Sequence, residues 1–147
     1  MASAWQGPYD RSNLLIDRGL LCRSFLTPRN DRLDLEVFVE TDAGKGSGFI
    51  DEAYVEAGAK IKNTPKEIYD TCDMVMHVKE PQPSEYDMIR ENQIVFTYLH
   101  LAADEQQTHG LIKSNSIDIA YETVEKADGS LPLLTPMSEV AGRMATQ

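Results

Sequence analysis

An α/β fold with a mainly parallel sheet is what this 147-residue chain predicts, on three observations. Short apolar runs rich in β-branched and aromatic residues recur along it, as buried strands require. Segments with helix start and stop signals separate those runs. Two stretches, Met74–Pro81 and Ile94–Ala103, each hold an apolar run that ends on one ionisable side chain followed by a proline or a small-residue turn. Strands that alternate with helices lie parallel and usually side by side.

The elements follow in order from Leu35. Glu36–Glu40 is a short strand and Thr41–Gly48 a glycine-rich loop. Asp51–Ala57 reads as a helix, with acidic residues in its first turn and Gly58 behind it. Ala59–Ile61 is a brief strand. Thr64 is placed to cap a helix that opens at Pro65 and runs to about Thr71. The strands ending near Lys79 and His100 come next, joined by a helix over Ser84–Arg90 that Ser84 caps. Ala102–Ser114 is a longer helix, Ile117–Thr123 a strand, and Asp128-Gly129 a turn. A last helix is expected from Met137, with no stop signal before Gln147.

Residues 1–34 differ from the rest. They hold five arginines, no lysine and four acidic residues, against seven lysines, two arginines and twenty acidic residues afterwards. They offer only Leu14-Leu15-Ile16 and Leu20-Leu21 as strand material, broken by Asp17-Arg18-Gly19. The first strand therefore reads as missing or replaced. The segment reads as poorly ordered, or as the product of a reading-frame shift, and its loss would uncover apolar surface at the sheet centre.

Composition narrows the class of function. With 41% hydrophobic and 26% charged residues the chain suits one globular domain. A net charge of −10 argues against nucleic-acid or anionic-membrane partners. No apolar stretch is long enough to span a bilayer. Cys22 and Cys72 lack metal-ligand spacing, which predicts no metal site and reduced thiols in a cytoplasmic protein. Acidic residues among the early arginines argue against a transit peptide.

Lys79 and His100 are the leading site candidates. At the carboxyl ends of neighbouring parallel strands they would stand roughly 5 Å apart in the sheet direction, on the edge where open α/β sheets bind ligands. Position alone leaves a structural role open for both. Chemically, a lysine binds a carboxylate or polarises a carbonyl oxygen, and an imidazole exchanges a proton with that oxygen. Glu122 lies near the same edge and reads as a capping or solvated carboxylate. Ser138 and Glu139 begin the last helix, where capping is favoured over phosphate binding. Gly44, Gly46 and Gly48 are spaced G-x-G-x-G rather than G-x-G-x-x-G, which favours a structural turn over a nucleotide loop. His77 and His109 read as structural or surface residues.

EVFVE (Glu36–Glu40), TDAGKGSGF, AGAKI, MVMHVKEP, IVFTYLHLAA, IAYETV and DGSLPLLTPMSEVAGRM stand in the order and spacing of one family. Over about residues 36–147 the chain resembles the amino-terminal, substrate-binding domain of bacterial alanine dehydrogenase. The related transhydrogenases share the domain, but their counterpart of YLHLAA lacks the histidine. The resemblance implies a three-layer, Rossmann-like α/β domain. It implies His100 as catalytic acid/base, Lys79 as the lysine that contacts pyruvate, and Ser138 beside bound NAD. It also implies interconversion of L-alanine with pyruvate and ammonia in a cytoplasmic hexamer. At His77 the family commonly carries a lysine.

Two departures from the family qualify those expectations. The arginine that binds the substrate carboxylate should fall at Gly19, where Arg18 is adjacent in a non-matching context. Leu26-Thr27-Pro28 imitates the family's LTP but stands too close to Glu36. The carboxyl-terminal NAD-binding domain is not in the sequence either. The chain is therefore expected to be an amino-terminal domain fragment over 35–147, inactive alone because one wall of the cleft that NAD needs is absent. The alternatives are a non-catalytic binding or assembly module and a transhydrogenase alpha-type domain.

Overall fold

Six strands form one sheet in the computed structural model, which describes residues 21–25 and 35–145. They are β1 (Leu21–Phe25), β2 (Leu35–Glu40), β3 (Lys60–Lys62), β4 (Met74–Met76), β5 (Ile94–Thr97) and β6 (Ile117–Ala120). Their lateral order is β3-β2-β1-β4-β5-β6. The β2–β3, β4–β5 and β5–β6 pairs are parallel, whereas β1 is antiparallel to both β2 and β4. Five strands thus run one way and β1 alone runs against them. The sheet is mainly parallel, as the alternation of elements predicts.

β1 bears on the expectation of a first strand missing or replaced. It lies inside the 1–34 segment and fills the centre of the sheet, so a strand does stand there, running against its neighbours. Leu21 pairs with Val39 on one side and Met76 on the other. A ladder is made of backbone donors and acceptors, so residues with little strand character still join two half-sheets whose edges would otherwise lack partners. The expectations for Arg18, Gly19 and Leu26-Thr27-Pro28 fall outside the described residues.

Adjacent residues of β2 separate the two faces, because strand side chains alternate. Phe38 packs with Val75, Val95, Leu99 and Leu111. The helix α2 (Pro65–Thr71) adds Ile68 and Tyr69 to that cluster, and Leu111 comes from α3 (Glu105–Ser114). Val39 faces the other way, onto Ala43 and onto Tyr54 of α1 (Asp51–Glu56). Helices on both faces of one sheet make the three layers of a Rossmann-like domain. Ile117 and Ile119, at the β6 edge of the α1 face, remain exposed.

Several boundaries are corrected. Ser84–Arg90 is not a helix: only a 3-10 turn over Tyr86–Met88 forms, and Ser84 does not cap it. Glu85 accepts the Gln82 N–H, and the backbone is extended at Ile89 so that this side chain reaches the core. The helix expected from Ala102 is split into a 3-10 turn, Leu101–Ala103, and α3. Asp104 has extended backbone between them, and its carboxylate accepts the Gln107 N–H at 2.9 Å. β6 ends at Ala120, followed by a 3-10 turn over Tyr121–Thr123. The last helix, α4 (Thr135–Met144), starts before Met137, so Ser138 lies within its first turn and caps nothing. Cys72, expected as a reduced thiol, is buried and disulfide-bonded where α2 packs against the sheet.

The residues after the 3-10 turn at Tyr86–Met88 cap a helix they do not belong to. The last carbonyls of a helix lack intrahelical partners. Here Tyr69 and Cys72 carbonyls at the end of α2 each accept from Gln93 Nε2, at 2.9 and 2.6 Å, and from the Arg90 guanidinium, at 2.8 and 2.7 Å. Gln93, 2% exposed, also accepts the Arg90 N–H through its side-chain oxygen. Gln93→Leu removes the partner of that N–H and half the donors at the helix end. The expected loss is about 1–3 kcal/mol, read as a lower urea midpoint with an unchanged slope.

Candidate functional site

Parallel pairing brings three strand exits to one edge. Met74, Val75 and Met76 stand opposite Ile94, Val95 and Phe96, and Phe96 and Thr97 stand opposite Ile119 and Ala120. The chain therefore leaves β4 toward Lys79, β5 toward His100 and β6 toward Glu122 on the same side of the sheet.

Lys79 is held there through its backbone. The ladder runs one bond past β4, His77 N–H to the Phe96 carbonyl at 3.2 Å. Thr97, fully buried, then donates its hydroxyl to the Lys79 carbonyl at 2.6 Å. The Lys79 side chain is exposed, and no ion pair among the described residues includes it. A cation in no ion pair among the described residues suits an anionic ligand.

His100 has a different anchor. Tyr98 and Leu99 are buried, and His100 emerges exposed with φ 49° and ψ 36°, in the left-handed region. Its N–H donates to Glu122 Oε1 at 2.8 Å, and the Leu99 N–H reaches the same carboxylate at 3.1 and 3.2 Å. The imidazole stacks on the Tyr98 ring, with centroids 6.1 Å apart and planes 11° from parallel. Tyr98 in turn donates its hydroxyl to the Leu133 carbonyl and meets Tyr121 edge-on at 5.0 Å. Burial alone would raise the Glu122 carboxyl. The N–H groups of His100 and Leu99 and the nearby His100 ring outweigh burial and hold it below the usual carboxylate range. The capping role expected of Glu122 is what the geometry gives, and what it caps is the His100 backbone.

Other flagged residues fall elsewhere. Ser138 is exposed on α4 and its N–H is committed to the Leu134 carbonyl at 3.1 Å. No hydrogen bond among the described residues joins it to the three strand exits; the link to α4 runs through Tyr98 and Leu133, just before that helix. Gly44 is packed rather than open. A Cβ there would lie 2.2 Å from the Tyr54 hydroxyl, and Gly48 has φ 82°, so the glycine loop is shaped by packing and by a left-handed turn. His109 is exposed and faces Glu105 at 3.6 Å. Gln107 escaped sequence reasoning. It is 1% exposed and donates to the Leu99 carbonyl at 2.7 Å, and only its place on the inner face of α3 hinted at this.

His77, two residues before Lys79, lies in the core with its Nε2 3.3 Å from the Tyr69 hydroxyl. Burial lowers its pKa from 6.5 to about 4 and raises that of the Tyr69 phenol. The unfolded chain takes up a proton on this histidine between those values and the folded chain does not, so stability rises with pH across that window. On acidification from pH 7 to 4 this group alone is expected to cost about 3 kcal/mol. His77→Gln leaves Tyr69 a partner and flattens that part of the profile; urea midpoints that fall in parallel for both proteins would contradict the assignment.

Residues 29–141 match the family described as Alanine dehydrogenase/PNT, N-terminal domain. An alanine dehydrogenase of Methanococcus maripaludis is 55% identical over 112 residues, covering 76% of this chain and 30% of that protein. One from Staphylococcus epidermidis is 59% identical over the same length and shares. Among solved structures, an L-alanine dehydrogenase superposes with a TM-score of 0.68 at 51% identity, over 73% of this chain and 29% of the other. A transhydrogenase from Sinorhizobium meliloti gives 0.55 at 25% identity, over 59% and 26%. The chain thus spans about 30% of the length of the curated relatives it matches. With the order of its strands, its three layers and the extent of this match, the chain belongs to the alanine dehydrogenase/PNT amino-terminal domain family.

Proposed function

We propose that this domain supplies the substrate side of an alanine dehydrogenase, interconverting L-alanine with pyruvate and ammonia. The observation that carries the reading is that two adjacent parallel strands lead, at the same sheet edge, to an exposed Lys79 in no ion pair among the described residues and to an exposed His100 with a hydrogen-bonded backbone. Higher identity and superposition to the dehydrogenase than to the transhydrogenase favour this activity over the alternative.

In this reading Lys79 binds the carboxylate or carbonyl oxygen of pyruvate through its exposed ammonium. His100 exchanges a proton with the substrate oxygen as that carbon changes hybridisation. Tyr98 limits the direction the imidazole takes, and Thr97 fixes the backbone from which Lys79 extends. NAD, when bound, supplies the hydride chemistry. Among the described residues, the exposed Ser138 hydroxyl on the first turn of α4 fits a contact to a cofactor held from outside this sheet edge. Hydride transfer needs two walls around the reacting carbon. The 147-residue chain alone is therefore expected to show no pyruvate-dependent NADH oxidation. We further infer a cytoplasmic, oligomeric setting in which the rest of an alanine dehydrogenase completes the cleft.

The test is a chimera in which residues 35–147 replace the matching segment of the Staphylococcus epidermidis enzyme. It is expected to oxidise NADH with pyruvate and ammonia. His100→Asn should lower kcat about 10²–10⁴-fold, and Lys79→Met should act mainly through KM for pyruvate. A fully active His100→Asn chimera would overturn the reading.

A further inference from the structure

The strongest unexplained feature is how the backbone around His100 is held. His100 occupies the left-handed region, which costs energy for any residue carrying a Cβ and persists only where the surroundings over-determine it. The Leu99 carbonyl and the His100 N–H are the two polar groups of a single peptide unit, and each is taken by a side chain from a different element. Gln107 Nε2 of α3 donates to the carbonyl at 2.7 Å, while the His100 N–H donates to Glu122 Oε1 at 2.8 Å. The preceding N–H, that of Leu99, also goes to the Glu122 carboxylate.

We propose that Glu122 and Gln107 form a clamp on the Leu99–His100 peptide, and that they are positioning residues for the His100 imidazole. A peptide plane bonded on both edges does not flip, so φ of His100 is set against a fixed frame. Two N–H groups converging on one carboxylate make charge-assisted bonds, stronger than those to a neutral amide. A neutral glutamine at position 122 offers one acceptor oxygen and places an NH₂ against the second N–H. Gln107 is itself anchored, since its own N–H donates to Asp104 Oδ1. The clamp therefore ties the His100 backbone to the 3-10 turn that follows β6, through Glu122, and to the first turn of α3. Its use in catalysis rests on the reading of His100 given above, whereas its existence as a backbone device does not.

The test uses the full 147-residue chain, isotope-labelled, by solution NMR. In Glu122→Gln the amide protons of Leu99 and His100 are expected to move upfield. The Cα and Cβ shifts of His100 should lose their left-handed signature, while resonances of β4 and β5 stay in place. Gln107→Leu, which frees only the Leu99 carbonyl, should give the same loss by the other edge and serves if the first variant does not fold. A titration with pyruvate, followed at the His100 ring, should shift to about tenfold higher concentration in Glu122→Gln. A folded Glu122→Gln that keeps the left-handed signature would overturn the clamp. A wild-type His100 ring that ignores pyruvate would overturn the site reading instead, with the clamp still decided by the backbone shifts.

Discussion

The in-register parallel pairing of β4, β5 and β6 is the constraint on which the rest depends. Val75 and Val95 share the buried row on the α2/α3 face, and the neighbouring row carries Met76, Phe96 and Ile119 on the other. A slip of one residue would turn Val95 away from the core and bring a less buried residue in, so the core specifies the register. Once it is specified, the exits of three strands fall on one edge without further instruction. Lys79, His100 and Glu122 lie beyond the ends of adjacent strands at one edge because the apolar rows beneath them fit one way.

Strand and helix ends leave backbone groups that no ladder or helix bond satisfies, and this domain meets that need with polar side chains. Thr97 serves the Lys79 carbonyl, Glu122 and Gln107 serve the peptide before His100, and Gln93 with Arg90 serves the end of α2. Of these bonds, those of Thr97, Glu122 and Gln107 fix the backbone from which Lys79 and His100 extend.

β1 shows how tolerant the sheet centre is. A strand running against its five companions still bonds on both sides, with Leu21 opposite both Val39 and Met76. The half-sheet β4–β5–β6 is parallel throughout, and that half carries the candidate site. On the other half, Gly44 closes under Tyr54, and Asp51 accepts from Thr41 and Asp42 to tie the loop to α1.

The sequence by itself determined the α/β class, the parallel half-sheet, the helix opening at Thr64-Pro65 and the positions of Lys79 and His100 beyond the ends of neighbouring strands. These rest on local signals: apolar runs, a cap followed by proline, and ionisable residues just past strand ends. It also carried long enough motifs to name the family. Only tertiary structure decided the remainder. Leu21–Phe25 is a strand because two edges awaited a partner, not because its residues demand one. Ser84–Arg90 gave up a helix because Ile89 is drawn into the core and Arg90 to the end of α2. The join of Glu122 and Gln107 at one peptide is a fact of three elements meeting, and no spacing along the chain encodes it, because hydrogen bonds between distant residues depend on how the sheet and helices pack.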